Sequence, residues 1–209
     1  MFESLENLLD KDHCRLIASS EGTDKVRTIN LIHEYGEPLD AHNLNRLSIQ
    51  YGRIAGLVDL YKRYSYLDLY VDEVSEDTAF LIAHPNDWDS LGGRFREWLD
   101  ISKSTDDDFQ LAEWLHDAPD WLSHDYIVFG EIPSDSRYFI IPLYGEDHGS
   151  VIEFDHDGAE FTKVSTGLSD FIDYLCTIDN DLVYEIANQM RFIAADQSTD
   201  WTHIKYTDQ

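Results

Sequence analysis

Apolar residues recur along this chain at two spacings, and the change of spacing marks out the elements. Phe2, Leu5, Leu8 and Leu9 share one face of a short helix at the N-terminus. The segment to about Leu39 is ambiguous: residues 26–33 suit a strand or the start of a helix, and Gly36 and Pro38 stop either. Leu47, Tyr51, Ile54, Val58 and Tyr61 recur at intervals of four and three, which predicts one helix that Asn43 or Asn45 would cap. Gly52 and Gly56 lie on that helix, four apart. Residues 66–71 and 79–83 read as strands. Gly92 and Gly93 break the chain before a helix over 94–101, and a second helix is expected over 107–116.

The period then falls to two. Strands are predicted over 126–130, 137–144, 150–155 and 160–164, separated by turn-rich segments such as Pro133-Ser134-Asp135 and Gly145-Glu146-Asp147-His148-Gly149. Ser169 would cap a helix bearing Phe171, Ile172 and Leu175, and a last helix is expected over 182–192. Strands joined by tight turns must be antiparallel. The order therefore predicts a single α+β domain with an antiparallel sheet of four to six strands packed by helices. Residues 1–40 form an N-terminal segment, 41–193 the domain proper, and 194–209 a polar tail.

Composition narrows the classes of function. The 209 residues are 43% hydrophobic and 13% aromatic, enough to build a core. Two cysteines, Cys14 and Cys176, make no disulfide framework and fit a reducing compartment. No apolar stretch approaches the ~20 residues of a membrane span, and the first residues lack the features of a secretory signal. A cytoplasmic protein is the expectation.

Charge changes the picture most. The chain carries 42 acids against 15 bases, a formal net charge of −27. The imbalance grows along it: residues 1–103 hold 19 acids and 11 bases, residues 104–209 hold 23 acids and four bases, Arg137, Lys163, Arg191 and Lys205. Such a field attracts cationic partners and repels nucleic acid and anionic membrane. Solubility alone is the plainer reading of the same charge.

Residues 145–158 are the densest run of potential ligands, with Glu146, Asp147, His148, Glu153, Asp155, His156 and Asp157. Their carboxylates are split over two turns, unlike a calcium loop. His148 and His156 stand at opposite ends of one predicted strand, too far apart at ~3.3 Å per residue to share zinc. No Gly-x-Ser-x-Gly elbow, phosphate-cradling loop or basic aromatic stripe is present. No cofactor, metal or catalytic residue is therefore expected. The candidate partner-binding residues are Asp106, Asp107, Asp108, Glu146, Asp147, Asp155 and Asp157, taken as members of an acidic patch. The first three also suit the positive pole of the helix that they begin.

The segment Gly130-Glu131-Ile132-Pro133-Ser134-Asp135-Ser136-Arg137-Tyr138-Phe139-Ile140-Ile141 resembles the strand pair of the SUKH superfamily. That group includes the yeast cell-wall-synthesis regulator and many bacterial immunity proteins. Gly145-Glu146-Asp147-His148-Gly149, then Val151-Ile152-Glu153-Phe154-Asp155-His156-Asp157, then residues 165–175 with Phe171 and Leu175, extend the resemblance, which is clearest over 127–175. It implies a non-enzymatic α+β binding module, most often an immunity protein that neutralises a toxin domain such as a nuclease. The expectation is thus an acidic module for a basic protein partner. The alternatives are a hydrolase using paired carboxylates and a housekeeping interaction module with no toxin.

Overall fold

The computed structural model describes residues 2–11, 14–20, 26–104, 119–156, 160–189 and 202–206. Eight consecutive strands form one antiparallel meander: β1 (Cys14–Ser20), β2 (Val26–Tyr35), β3 (Leu67–Asp72), β4 (Thr78–Ile82), β5 (Tyr126–Ile132), β6 (Arg137–Pro142), β7 (Val151–Asp155) and β8 (Glu160–Ser165). A ninth, β9 (Thr202–Tyr206), pairs with β1 at the far edge, Leu16 opposite Tyr206. The α+β class stands. The expected four to six strands fall short because the ambiguous 14–35 region forms a hairpin and the polar tail adds a strand.

Six helices accompany the sheet among the described residues: α1 (Glu3–Leu9), α2 (Ala41–Tyr51), α3 (Leu57–Tyr61), α4 (Trp88–Ser104), α5 (Leu168–Cys176) and α6 (Asn180–Gln189). The single helix expected over 43–61 is two. Helix α2 stops at Tyr51, and after a short irregular stretch Gly56, at a left-handed φ of 83°, precedes the first residue of α3. Asp40, rather than Asn43 or Asn45, caps α2, accepting from the Asn43 N–H at 2.8 Å. Gly92 and Gly93 lie inside α4 instead of before it. The helix expected over 107–116 lies outside the described residues.

The two faces of the sheet differ. On one, Phe95 of α4 meets Tyr126, Tyr138, Phe154 and Phe161 edge-on. On the other, Phe171 of α5 packs on Phe129 and Phe139 at 5.9 and 4.8 Å between ring centroids. Strands β5 and β6 are thus covered on both sides, and this is why Phe139-Ile140-Ile141 reads as a continuous apolar run. In β2 burial alternates instead, with Ile29 and Leu31 buried between exposed Thr28 and Asn30, so one face of β2 meets solvent. The N-terminal hairpin is hydrogen-bonded to β3, and α1 packs on α5 through buried Leu5 and Leu8. No helix among the described residues is long and apolar enough to cross a membrane.

Candidate functional site

The described members of the sequence-predicted set, Glu146, Asp147 and Asp155, lie at the two opposite ends of β7. Glu146 is exposed in the β6–β7 turn, where Gly145 and Gly149 take φ 85° and 79°. Beside it, Asp147 pairs with Lys163 Nζ at 2.9 Å. Asp155 stands at the opposite end of β7, facing Glu160 in the β7–β8 register and meeting Arg137 Nη2 at 3.1 Å. Asp106, Asp107, Asp108 and Asp157 lie outside the described residues. His156 stacks on Trp98 of α4 with ring centroids 4.5 Å apart, at the end of β7 away from the turn carrying His148. Among the described residues no group of three or more His, Cys, Asp or Glu is arranged to hold a metal ion.

Acidic side chains do gather elsewhere, around the α5–α6 connection. A cavity of about 280 Å³ opens between the sheet and these helices. Phe80 of β4 and Phe139 of β6 contribute to its wall, as do Phe171 and Tyr174 of α5. Its two carboxylates are Glu153 from β7 and Glu185 from α6. Each arrives by its element's geometry. Glu153 is opposite Phe139 in the β6–β7 ladder, hence on the α5 face of the sheet. Helix α5 presents Phe171 and Leu175 inward at a spacing of four, leaving Tyr174 at the rim. The buried Tyr70 hydroxyl donates to the Leu175 carbonyl at 2.7 Å and ties the end of α5 to β3.

Several carboxylates act on one another around this cavity. Burial holds the Glu153 carboxyl above its ordinary range; Arg137 pulls it back, while Glu185 and Asp155 add to the rise. The Tyr174 phenol is pushed up to about 12, first by burial and then by Glu185, Glu153, Asp179 and Asp181. Four carboxylates therefore share one neighbourhood, with an aromatic ring among them. Arg137 supplies the local counter-charge, reaching Asp135 through Nε at 2.7 Å, Glu153 through Nη1 at 3.1 Å and Asp155 through Nη2 at 3.1 Å. Such a cavity can take up a cation: the carboxylates supply charge, and the ring faces supply quadrupole attraction.

Sequence reasoning counts Glu153 only as one of the ligands in 145–158 and passes over Tyr174 and Glu185. One signal was present, a carboxylate inside the apolar stretch Val151-Ile152-Glu153-Phe154. Its partner Glu185 is 32 positions away on a different kind of element, so no local pattern could join the two.

Compared with known proteins, the chain matches no family model, no curated protein and no solved structure.

Proposed function

We propose that this chain is a non-enzymatic binding module for a basic protein, and that it seats one arginine or lysine of that partner in the Glu153–Glu185 cavity. The observation that carries the reading is the juxtaposition of two carboxylates with Phe171 and Tyr174 in a cavity of about 280 Å³. A guanidinium entering it would stack on the rings and offset the burial, and the lesser repulsion from Glu185, that raise Glu153. Asp179 and Asp181, whose charges act on Tyr174, together with the chain's charge of −27, would steer the partner in and make association sensitive to salt. The SUKH resemblance adds an identity for the partner: a toxin domain such as a nuclease, whose basic substrate groove the module would occlude.

The paired-carboxylate hydrolase keeps one observation in its favour, the raised carboxyl of Glu153 beside Glu185. The two readings differ in what happens to that carboxyl. A bound cation lowers its pKa, whereas a general acid must keep its proton while a neutral substrate is bound.

The test is capture of partners from the native cell at low and high ionic strength, followed by binding measurements on the purified captured protein. The reading expects a basic protein whose affinity falls at least about tenfold with Glu153→Gln/Glu185→Gln. Equal affinity for wild type and double variant would overturn it.

A further inference from the structure

A second cavity has the opposite character. Between α2 and α4 runs a groove of about 300 Å³, at the lower end of the size range of small-molecule sites. Arg46 and Gln50 reach it from α2, and Arg96 from α4. His84 and Asn86 line it from the segment before α4, with Tyr51 and Trp88 adding aromatic wall. Two guanidiniums in one groove stand out in a chain of net charge −27.

Among the described residues they share with Arg53 the lack of an ion pair, whereas several other bases are paired. Arg94, Arg137 and Lys163 each meet a carboxylate. Among the described residues Arg46 and Arg96 have no ion pair; the Arg46 Nη2 group donates only to the Asn86 side-chain oxygen, at 3.3 Å. Asp89 is the one carboxylate lining the groove.

The backbone accommodates this arrangement. Gly92 is buried within α4, where glycine costs about 1 kcal/mol relative to alanine. A Cβ on Gly92 would stand 3.3 Å from Arg96 Nη1, so the guanidinium lies back against the bare turn of helix one turn before it. Gly93 beside it has nothing within 4 Å of such a Cβ. The missing side chain at Gly92 is thus matched to the position of the Arg96 head.

We propose that this groove binds a small molecule through an oxyanion, a phosphate or carboxylate group held between Arg46 and Arg96. Guanidiniums are suited to that task because their planar forks match both groups with paired, charge-assisted hydrogen bonds. The amides of Gln50 and Asn86 and the Tyr51 hydroxyl would read the rest of the ligand, and Trp88 would shield it. This site is separate in residues and charge from the Glu153–Glu185 cavity, and either can fail alone.

The experiment titrates the full chain with inorganic phosphate and, separately, with succinate, against sodium chloride at matched ionic strength. The readout is the backbone amide resonance of Gly92. Saturable movement with phosphate alone assigns a phosphate ligand, with succinate alone a carboxylate ligand, and with both an oxyanion site of either kind. Arg46→Gln and Arg96→Gln should each weaken binding at least about tenfold, while Arg53→Gln, outside the groove, should bind as wild type. The proposal is overturned if neither anion saturates beyond the chloride control. It is overturned equally if both groove variants, shown folded by circular dichroism, bind as well as wild type.

Discussion

Arg137 Nη1 meets Glu153 Oε1 at 3.1 Å, and the same guanidinium also holds Asp135 and Asp155 through its other two nitrogens. One base therefore satisfies three carboxylates from the β5–β6 turn and from β7. Because the site is half-buried, loss of the cation strands charge that water only partly screens. Arg137→Ala should destabilise the fold by about 2 kcal/mol, measured by urea denaturation. Arg137→Lys should recover only part of that loss, since an ammonium cannot present three fixed nitrogens. Full recovery by lysine would show that the geometry is immaterial.

A second pair controls the response to acid. The Tyr70 N–H donates to His33 Nδ1 at 3.2 Å, where β2 bulges against β3 and Tyr70 takes φ 59°. Burial, with Lys11 adding to it, lowers the His33 pKa from 6.5 to about 4. A depressed pKa means that the unfolded chain binds the proton first. The stabilisation is present above pH 6.5 and is lost as pH falls towards 4, amounting to about 3 kcal/mol. His33→Gln should flatten the stability profile across that window. A profile unchanged by the substitution would remove His33 as its source.

Asp68 acts with the opposite sign over much of the same range. It faces Glu34 across the β2–β3 ladder, and burial, then Glu34, raise its carboxyl to about 6. A raised pKa gives stability that is full below 3.8 and is lost as pH rises through 6. Asp68→Asn should stabilise the protein at pH 8 by about 1 kcal/mol, a figure discounted for partial exposure. It should also steepen the loss on acidification, because protonation of His33 would act unopposed. Thermal melts at pH 4, 6 and 8 separate the two effects.

Close backbone approach fixes the middle of the sheet. Gly130 is paired with Ile82, and a Cβ there would fall 2.5 Å from the Leu81 carbonyl oxygen, with Phe139 and Ile82 side chains also crowding it. Gly130→Ala must push β4 from β5 at their short shared ladder, at a cost of about 2 kcal/mol. Urea denaturation checks this, and a neutral effect would mean that the two strands separate freely.

Legibility in the sequence followed the range of the interactions concerned. Strands β3 to β8 could be read because each is bounded by its own turn chemistry and carries its own apolar residues. The hairpin of β1 and β2 was hidden because residues 26–33 suit a strand or a helix start equally, and β9 by pairing with a strand nearly the whole chain away. The division of α2 from α3 was hidden because the stripe from Leu47 to Tyr61 continues in phase across residues 52–56, where the regular helix lapses before α3 begins after the left-handed Gly56. Gly92 and Gly93 misled in the reverse sense, since glycine tolerates helix interiors where a neighbour needs the space. The charge bias announced an acidic protein, but Glu153 and Glu185 meet only through the packing of β7 against the α5–α6 helices, which no spacing encodes.

The most direct test of the binding-module reading is a nuclear magnetic resonance titration of the full chain with a hexa-arginine peptide, in wild type and in Glu153→Gln/Glu185→Gln. The double variant removes only two of 27 net negative charges, so diffuse attraction would leave affinity nearly unchanged. The account predicts saturable shifts centred on Phe171 and Tyr174, weakened at least about tenfold in the variant. Shifts spread evenly over the surface, with equal affinity in both proteins, would contradict it.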